Sequence, residues 1–217
     1  MALSVGVDIG QAADPTAIIV AETYRPQRID AAEPAPARQH RVRWVERVPL
    51  GTLYGTVVER IAAVAEAAQS WGPTMMVLDA TGVGRPIVDM LKRQTSVPLR
   101  AVTFTSGEHE TQPEYDCHRV PKVDLVTSLE TVLQSRRLEV TPDCPLRDDL
   151  AAELGAFDFA MSDRGHASFE AASGSHDDLV MALCLAIWWG ERSGLQAEAF
   201  HELAEQVRRR GVGGAPL

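Results

Sequence analysis

The chain has 217 residues, a formal net charge of −9, 45% hydrophobic and 24% charged residues, which is an ordinary globular mix. Its length allows one large domain or a domain with an appendage. The acidic balance argues against tight, non-specific gripping of nucleic acid by the whole surface, and the most apolar run, LVMALCLAIWW at 179–189, is too short to cross a bilayer. No secretory signal is read at the start.

Residues 3–9 and 15–23 are predicted to pair as strands around a turn at Asp14-Pro15. Side chains alternate along a strand. Leu3, Val5, Val7 and Ile9 therefore share a core face, while Ser4, Gly6, Asp8 and Gly10 share the other, with Asp8 between two glycines. Glycine there leaves room for another backbone, an ion or a ligand. Asp8 fits equally well as a strand-end acid bonded to amides of the next turn. A Pro/Ala-rich loop at 25–38 leads to a third strand at 40–48, completing an antiparallel meander. Its Arg41, Arg43 and Arg47 could form a local basic face, and read more readily as solvated surface. So do Arg85, Lys92 and Arg93, then Arg136 and Arg137, then Arg208, Arg209 and Arg210.

A helix is predicted over 55–71, with Val57, Val58, Ile61, Val64 and Ala68 near one face, stopped by Gly72-Pro73. MMVLDA at 75–80 has the look of a buried parallel strand. A helix from about Gly84 to Gln94 and a strand at 97–104 follow. The polar stretch 105–119 is expected to be a loop; its His109, Cys117 and His118 lack a zinc spacing. Pro121 opens a helix that turns Leu125, Leu129, Val132 and Leu133 inward. A short helix at 146–155, a hairpin at 157–170, a long apolar helix from near Ser175 and an amphipathic helix at 196–210 complete the chain. The three cysteines, Cys117, Cys144 and Cys184, suggest a reducing compartment and no disulfide frame. The class predicted is α/β: a mixed sheet, antiparallel strands 1–3 followed by parallel strands, with helices on both faces.

Several acids stand out in that frame. Asp79 ends the strand MMVLD ahead of ATGVG, at the strand end where ligands of open α/β sheets collect. Asp177 and Asp178 follow Ser175-His176 at the start of the apolar helix. Taken singly, each has a structural reading: Asp79 opens a glycine turn, and Ser175 with Asp178 fits a helix-capping pattern. Successive helix residues point about 100° apart, so one of Asp177 and Asp178 is expected to face a given ligand. If the acids meet, mutual repulsion raises their pKa values unless a cation neutralises them. Oxygen donors without His or Cys suit Mg²⁺ or Mn²⁺, and a carboxylate cluster holding two such ions about 4 Å apart is the machinery of in-line phosphodiester cleavage.

The succession VGVDIG…DPTAIIV, VLDATGVG, VPKVDLVTSLE and HDDLVMALCLAIW resembles the nuclease domain of the large terminase subunit of tailed bacteriophages, from about residue 3 to 190. The resemblance implies an RNase H-like fold over 1–195, with a C-terminal helix and flexible tail over 196–217. It implies a two-metal endonuclease, using Mg²⁺ or Mn²⁺, that cuts double-stranded phage DNA during genome packaging. Asp8 matches the first metal ligand and Asp79 the second; Asp177 and Asp178 occupy the third acidic position. Asp14 matches an accessory acid. Lys122 of the VPK segment stands where it could meet a phosphate or be plain surface. His176 could shuttle a proton or simply begin its helix. The hairpin at 157–170 resembles one near the DNA path.

By the same resemblance the partners are an ATPase motor domain, a small terminase subunit and the portal, in the cytoplasm of the bacterial host and away from any membrane. The sequence contains no G-x-x-x-x-G-K-[ST] phosphate loop, so the motor is expected to lie outside this chain, which would be an excised domain, a free-standing gene product or a prophage remnant. Other readings stay open: a resolvase-like nuclease acting on branched DNA, a sugar-kinase or actin-like ATP-binding protein, and a packaging scaffold with a decayed site.

Overall fold

The computed structural model describes residues 1–10, 14–27, 34–82, 84–157 and 177–192. Strands β1 (Ala2–Asp8), β2 (Thr16–Tyr24) and β3 (Gln39–Val48) form the expected antiparallel meander. Helix α1 (Tyr54–Gln69) crosses to β4 (Thr74–Asp79), which lies parallel to β1 on its other side. Helix α2 (Gly84–Gln94) and β5 (Leu99–Thr105) extend the parallel part. β6 (Thr111–Glu114) and β7 (Cys117–Pro121) follow, then α3 (Lys122–Gln134), β8 (Leu138–Val140), α4 (Arg147–Ala156) and α5 (178–192). The sheet order is β6-β7-β5-β4-β1-β2-β3-β8.

Helices cover both faces. α1 and α2 bury Val58, Ile61, Ile87 and Leu91 against Leu3, Val5 and Val7 of β1 and the following Ile9. On the other face α3, α4 and α5 bury Leu125, Leu129, Leu150 and Leu183 against Ala17, Val45, Val77 and Val102. The predicted core face of β1 is therefore the one that packs on α1 and α2.

Three strands depart from the sequence reading. The stretch 105–119, expected as a loop, contributes β6 and most of β7. Its inward residues are His118 and Val120, and a buried histidine disguises the alternation of a strand. Pro113 lies in β6, where an edge strand tolerates it. β8, three residues long, gives no periodic signal. The predicted hairpin at 157–170 beyond Phe157, the helix at 196–210, Ser175 and His176 lie outside the described residues. Among the described residues no helix is long and apolar enough to cross a membrane. All three cysteines are unpaired.

The β1 glycine explains how α5 packs. A Cβ on Gly6 would lie 2.0 Å from the carbonyl oxygen of Ala182 and 3.0 Å from the Cβ of Ala186. The helix backbone thus rests directly on the strand. Four to five helix residues rise about 6–7.5 Å and two strand residues about 6.6 Å. That brings the start of α5 level with Asp8.

Candidate metal centre

The strand register sets the site. Val7 is level with Leu78 across the parallel pair, which carries Asp8 and Asp79 to the ends of neighbouring strands. Asp8 is also level with Ala17 of β2, and Ala17 with Arg47 of β3. Asp79, Asp8, Ala17 and Arg47 therefore form one row on the α5 side of the sheet, at the edge where α5 begins.

The arrangement brings Asp79, Asp177, Asp178 and Lys122 within electrostatic reach of Asp8. Burial pushes the Asp8 carboxyl well above the ordinary carboxylate range, and the charges of Asp79, Asp177 and Asp178 push it further; the Lys122 ammonium opposes them. Asp79 is also raised by burial, against a hydrogen bond from the Thr81 N–H at 2.7 Å and the charge of Lys122. The glycine-turn reading of Asp79 is thus satisfied without taking it away from the cluster.

Asp177 and Asp178 have different surroundings. The Asp177 carbonyl accepts the N–H of Met181 at 2.8 Å, which makes Asp177 the N-cap of α5, and its carboxylate lies 3.6 Å from Lys122 Nζ. Asp178 is 3% exposed and takes a hydrogen bond from Arg47 Nε at 2.8 Å. Glu153 of α4 also pairs with Arg47, and it accepts the N–H of Leu179 at 3.1 Å. Glu153 thus satisfies a free amide of the first turn of α5.

Arg47 corrects the sequence reading, which placed it on a solvated surface with Arg41 and Arg43. A β-bulge between β2 and β3 causes the difference. Val20 is level with Trp44 but Ala21 with Val42, so Arg43 is the extra residue. Val42 and Val45 both enter the α5-side core, three residues apart, and Arg47 follows Val45 onto that face. Arg41 and Arg43 instead pair with the buried Glu22.

Asp14 is exposed in the β1–β2 turn. It lines a cleft of about 320 Å³ with Gly10, Val48, Leu50 and Tyr54 that lies beside the acids rather than among them. Asp14 is not one of the charges that act most strongly on Asp8.

The residues fit divalent cations by their chemistry. Every carboxylate donor is hard, and burial concentrates like charge that a lysine only partly opposes. Three candidate ligand atoms within 4.8 Å of one another occur, among the described residues, only at Glu114, Asp116 and Cys117. That group sits at the β6–β7 turn, where Lys92 already pairs with Asp116. Among the described residues, no three of the acids around Asp8 come that close together.

The eight-stranded mixed sheet with helices on both faces is similar in fold to solved nuclease domains of large terminases. The nuclease domain of the large terminase subunit of bacterial virus Sf6, solved with manganese and beta-thujaplicinol, is similar to it with a TM-score of 0.60. Identity is 14%, covering 86% of this chain and 88% of that one. The large terminase nuclease of thermophilic phage G20c with bound magnesium gives 0.55 at 22% identity, covering 85% and 79%. The Mn-soaked terminase nuclease domain of human cytomegalovirus gives 0.54 at 12% identity, covering 86% and 82%. At these identities the likeness is one of fold. No protein-family model and no curated protein matches the chain.

Proposed function

We propose that the protein is a metal-dependent endonuclease that cuts double-stranded DNA during phage genome packaging. The observation that carries this reading is the gathering of Asp8, Asp79 and the Asp177–Asp178 pair at the ends of two adjacent parallel strands and the start of the helix above them. Neighbours in fold support it, being terminase nuclease domains solved with magnesium or manganese. On the same reading the chain works beside an ATPase motor domain, a small terminase subunit and the portal, in the cytoplasm of the bacterial host.

Divalent ions in this cluster, two on this reading, would supply water activation and charge neutralisation at the scissile phosphate. The chain's own residues supply the rest. Asp8, at the centre of the row, is the acid with most to gain from a cation. Asp79 is pre-oriented by the Thr81 amide. Lys122 draws the phosphate towards the acids, and the N-terminal end of α5 adds the positive pole of its dipole. Asp14 and His176 have only accessory places in this scheme.

Plasmid cleavage in Mn²⁺ tests the reading. The wild-type protein should cut linear duplex DNA, and a folded Asp8→Asn variant should not. Cleavage by Asp8→Asn at the wild-type rate would overturn it, as would strong preference for a four-way junction over linear duplex.

A further inference from the structure

Arg47 lies two strands from Asp8 in the same row, with the small Ala17 between them. It is there only because the bulge at Arg43 shifts the phase of β3; in an unbroken strand, Glu46 and Val48 would face α5 instead. The guanidinium reaches both oxygens of Asp178, through Nε at 2.8 Å and Nη2 at 3.5 Å, and it also pairs with Glu153. Glu153 in turn accepts the Leu179 N–H. One arginine therefore ties β3 and α4 to the first turn of α5. Asp177, one residue earlier and about 100° around the helix, is 36% exposed and lies against Lys122.

We propose that Arg47 is a positioning residue for the metal centre. It neutralises Asp178 and withholds it from the cations, and through Glu153 it fixes the start of α5 so that Asp177 is the third ligand. This assignment rests on the reading above. Two physical effects support it. A buried carboxylate bonded to a guanidinium has its lone pairs and charge engaged, and drawing it away breaks its pairing with a half-buried cation. Outer residues that orient ligands typically change metal affinity 10–100-fold when removed.

The test is Mn²⁺ affinity by titration calorimetry, set beside the Tm of the metal-free protein. Asp177→Asn should lose affinity by about 30-fold or more while the metal-free Tm holds or rises, because like-charge repulsion falls. Asp178→Asn should behave oppositely, with a lower metal-free Tm and affinity within about threefold of wild type. Arg47→Gln should lose about tenfold or more in affinity, and adding Asp178→Asn to it should restore most of that loss. A purely structural arginine would not give that rescue. The Arg47→Gln/Asp178→Asn protein also serves if Asp178→Asn alone fails to fold, since it removes the buried acid and its half-buried partner charge together. Loss of affinity in Asp178→Asn equal to that in Asp177→Asn, or no rescue in the double variant, would overturn the assignment alone. A wild-type protein that binds no Mn²⁺ would overturn the metal-dependent reading itself, and this with it.

Discussion

Gly6 of β1 and Ala182 of α5 touch backbone to backbone: a Cβ on Gly6 would stand 2.0 Å from the Ala182 carbonyl oxygen. Nothing flexible can yield there, because the obstructing atom belongs to a helix packed along its length. Gly6→Ala should therefore push α5 off the sheet and carry Asp177 with it. The expected cost is about 3 kcal/mol or more, a Tm fall of roughly 6–12 °C, together with loss of stabilisation by Mn²⁺. Gly55 and Gly155 are the controls. Both are helical and a Cβ on either meets nothing within 4 Å. Gly55→Ala and Gly155→Ala should leave the protein as stable or raise stability by up to about 1 kcal/mol. Thermal unfolding of the three variants separates the outcomes, and equal Tm values would contradict the close packing.

Asp8 makes the metal-free protein's stability depend on pH in an unusual direction. Its folded pKa lies above the ordinary 3.8 because burial and neighbouring acids disfavour the charge. The fold thus holds the protonated form more firmly than the unfolded chain does. Stability is complete below the ordinary carboxyl range and is lost as pH rises through the folded value. Without metal, Asp8→Asn should be more stable than wild type at pH 7, with the gap closing on acidification. Denaturant melts across that range check this.

Divalent cations should reverse the ranking at neutral pH. An ion that binds only the folded state adds about 2.7 kcal/mol at a hundred times its Kd. Wild type should rise in Tm with Mg²⁺ or Mn²⁺, and Asp8→Asn should rise little. A wild-type Tm indifferent to millimolar Mn²⁺ would count against a cation site among these acids.

Much of this arrangement is legible in the sequence because it rests on short-range rules. Period-two alternation puts Val5 and Val7 on one face and Asp8 on the other. Gly72-Pro73 ends α1, and the parallel strand MMVLD leads Asp79 to the strand end where the acids gather. What stays hidden depends on events that no local pattern encodes. The bulge at Arg43 re-aims Arg47 through a register shift set by the partner strand. Glu153 sits on a helix with little amphipathic character, and nothing near it in sequence announces a cap for Leu179, 26 residues later. His118 is polar by type but buried by placement, so β7 reads as loop. The choice between Asp177 and Asp178 likewise needs Arg47, which is 131 residues away from Asp178 in sequence.

The far end of α5 carries a second charge cluster, and it gives the last prediction. Glu191 accepts hydrogen bonds from His40 Nε2 at 2.6 Å and Arg137 Nη1 at 2.8 Å, while Thr23 Oγ1 lies 3.0 Å from His40 Nδ1. The pattern suits the tautomer with the proton on Nε2. Burial alone would raise the Glu191 carboxyl, but these donors more than offset it and bring it to about 2 from an ordinary 4.5. A depressed folded pKa stabilises the protein above the ordinary value and is lost as pH falls towards the folded one. The gain at neutral pH is of order 1–3 kcal/mol once partial exposure is allowed for. Glu191→Gln keeps the size and a hydrogen-bonding oxygen but removes the charge. It should cost about that much at pH 7, and the difference from wild type should shrink from pH 4.5 towards pH 2. Urea unfolding at both ends of this window reads the result, and a constant difference would mean that packing, not charge, holds this end of the helix.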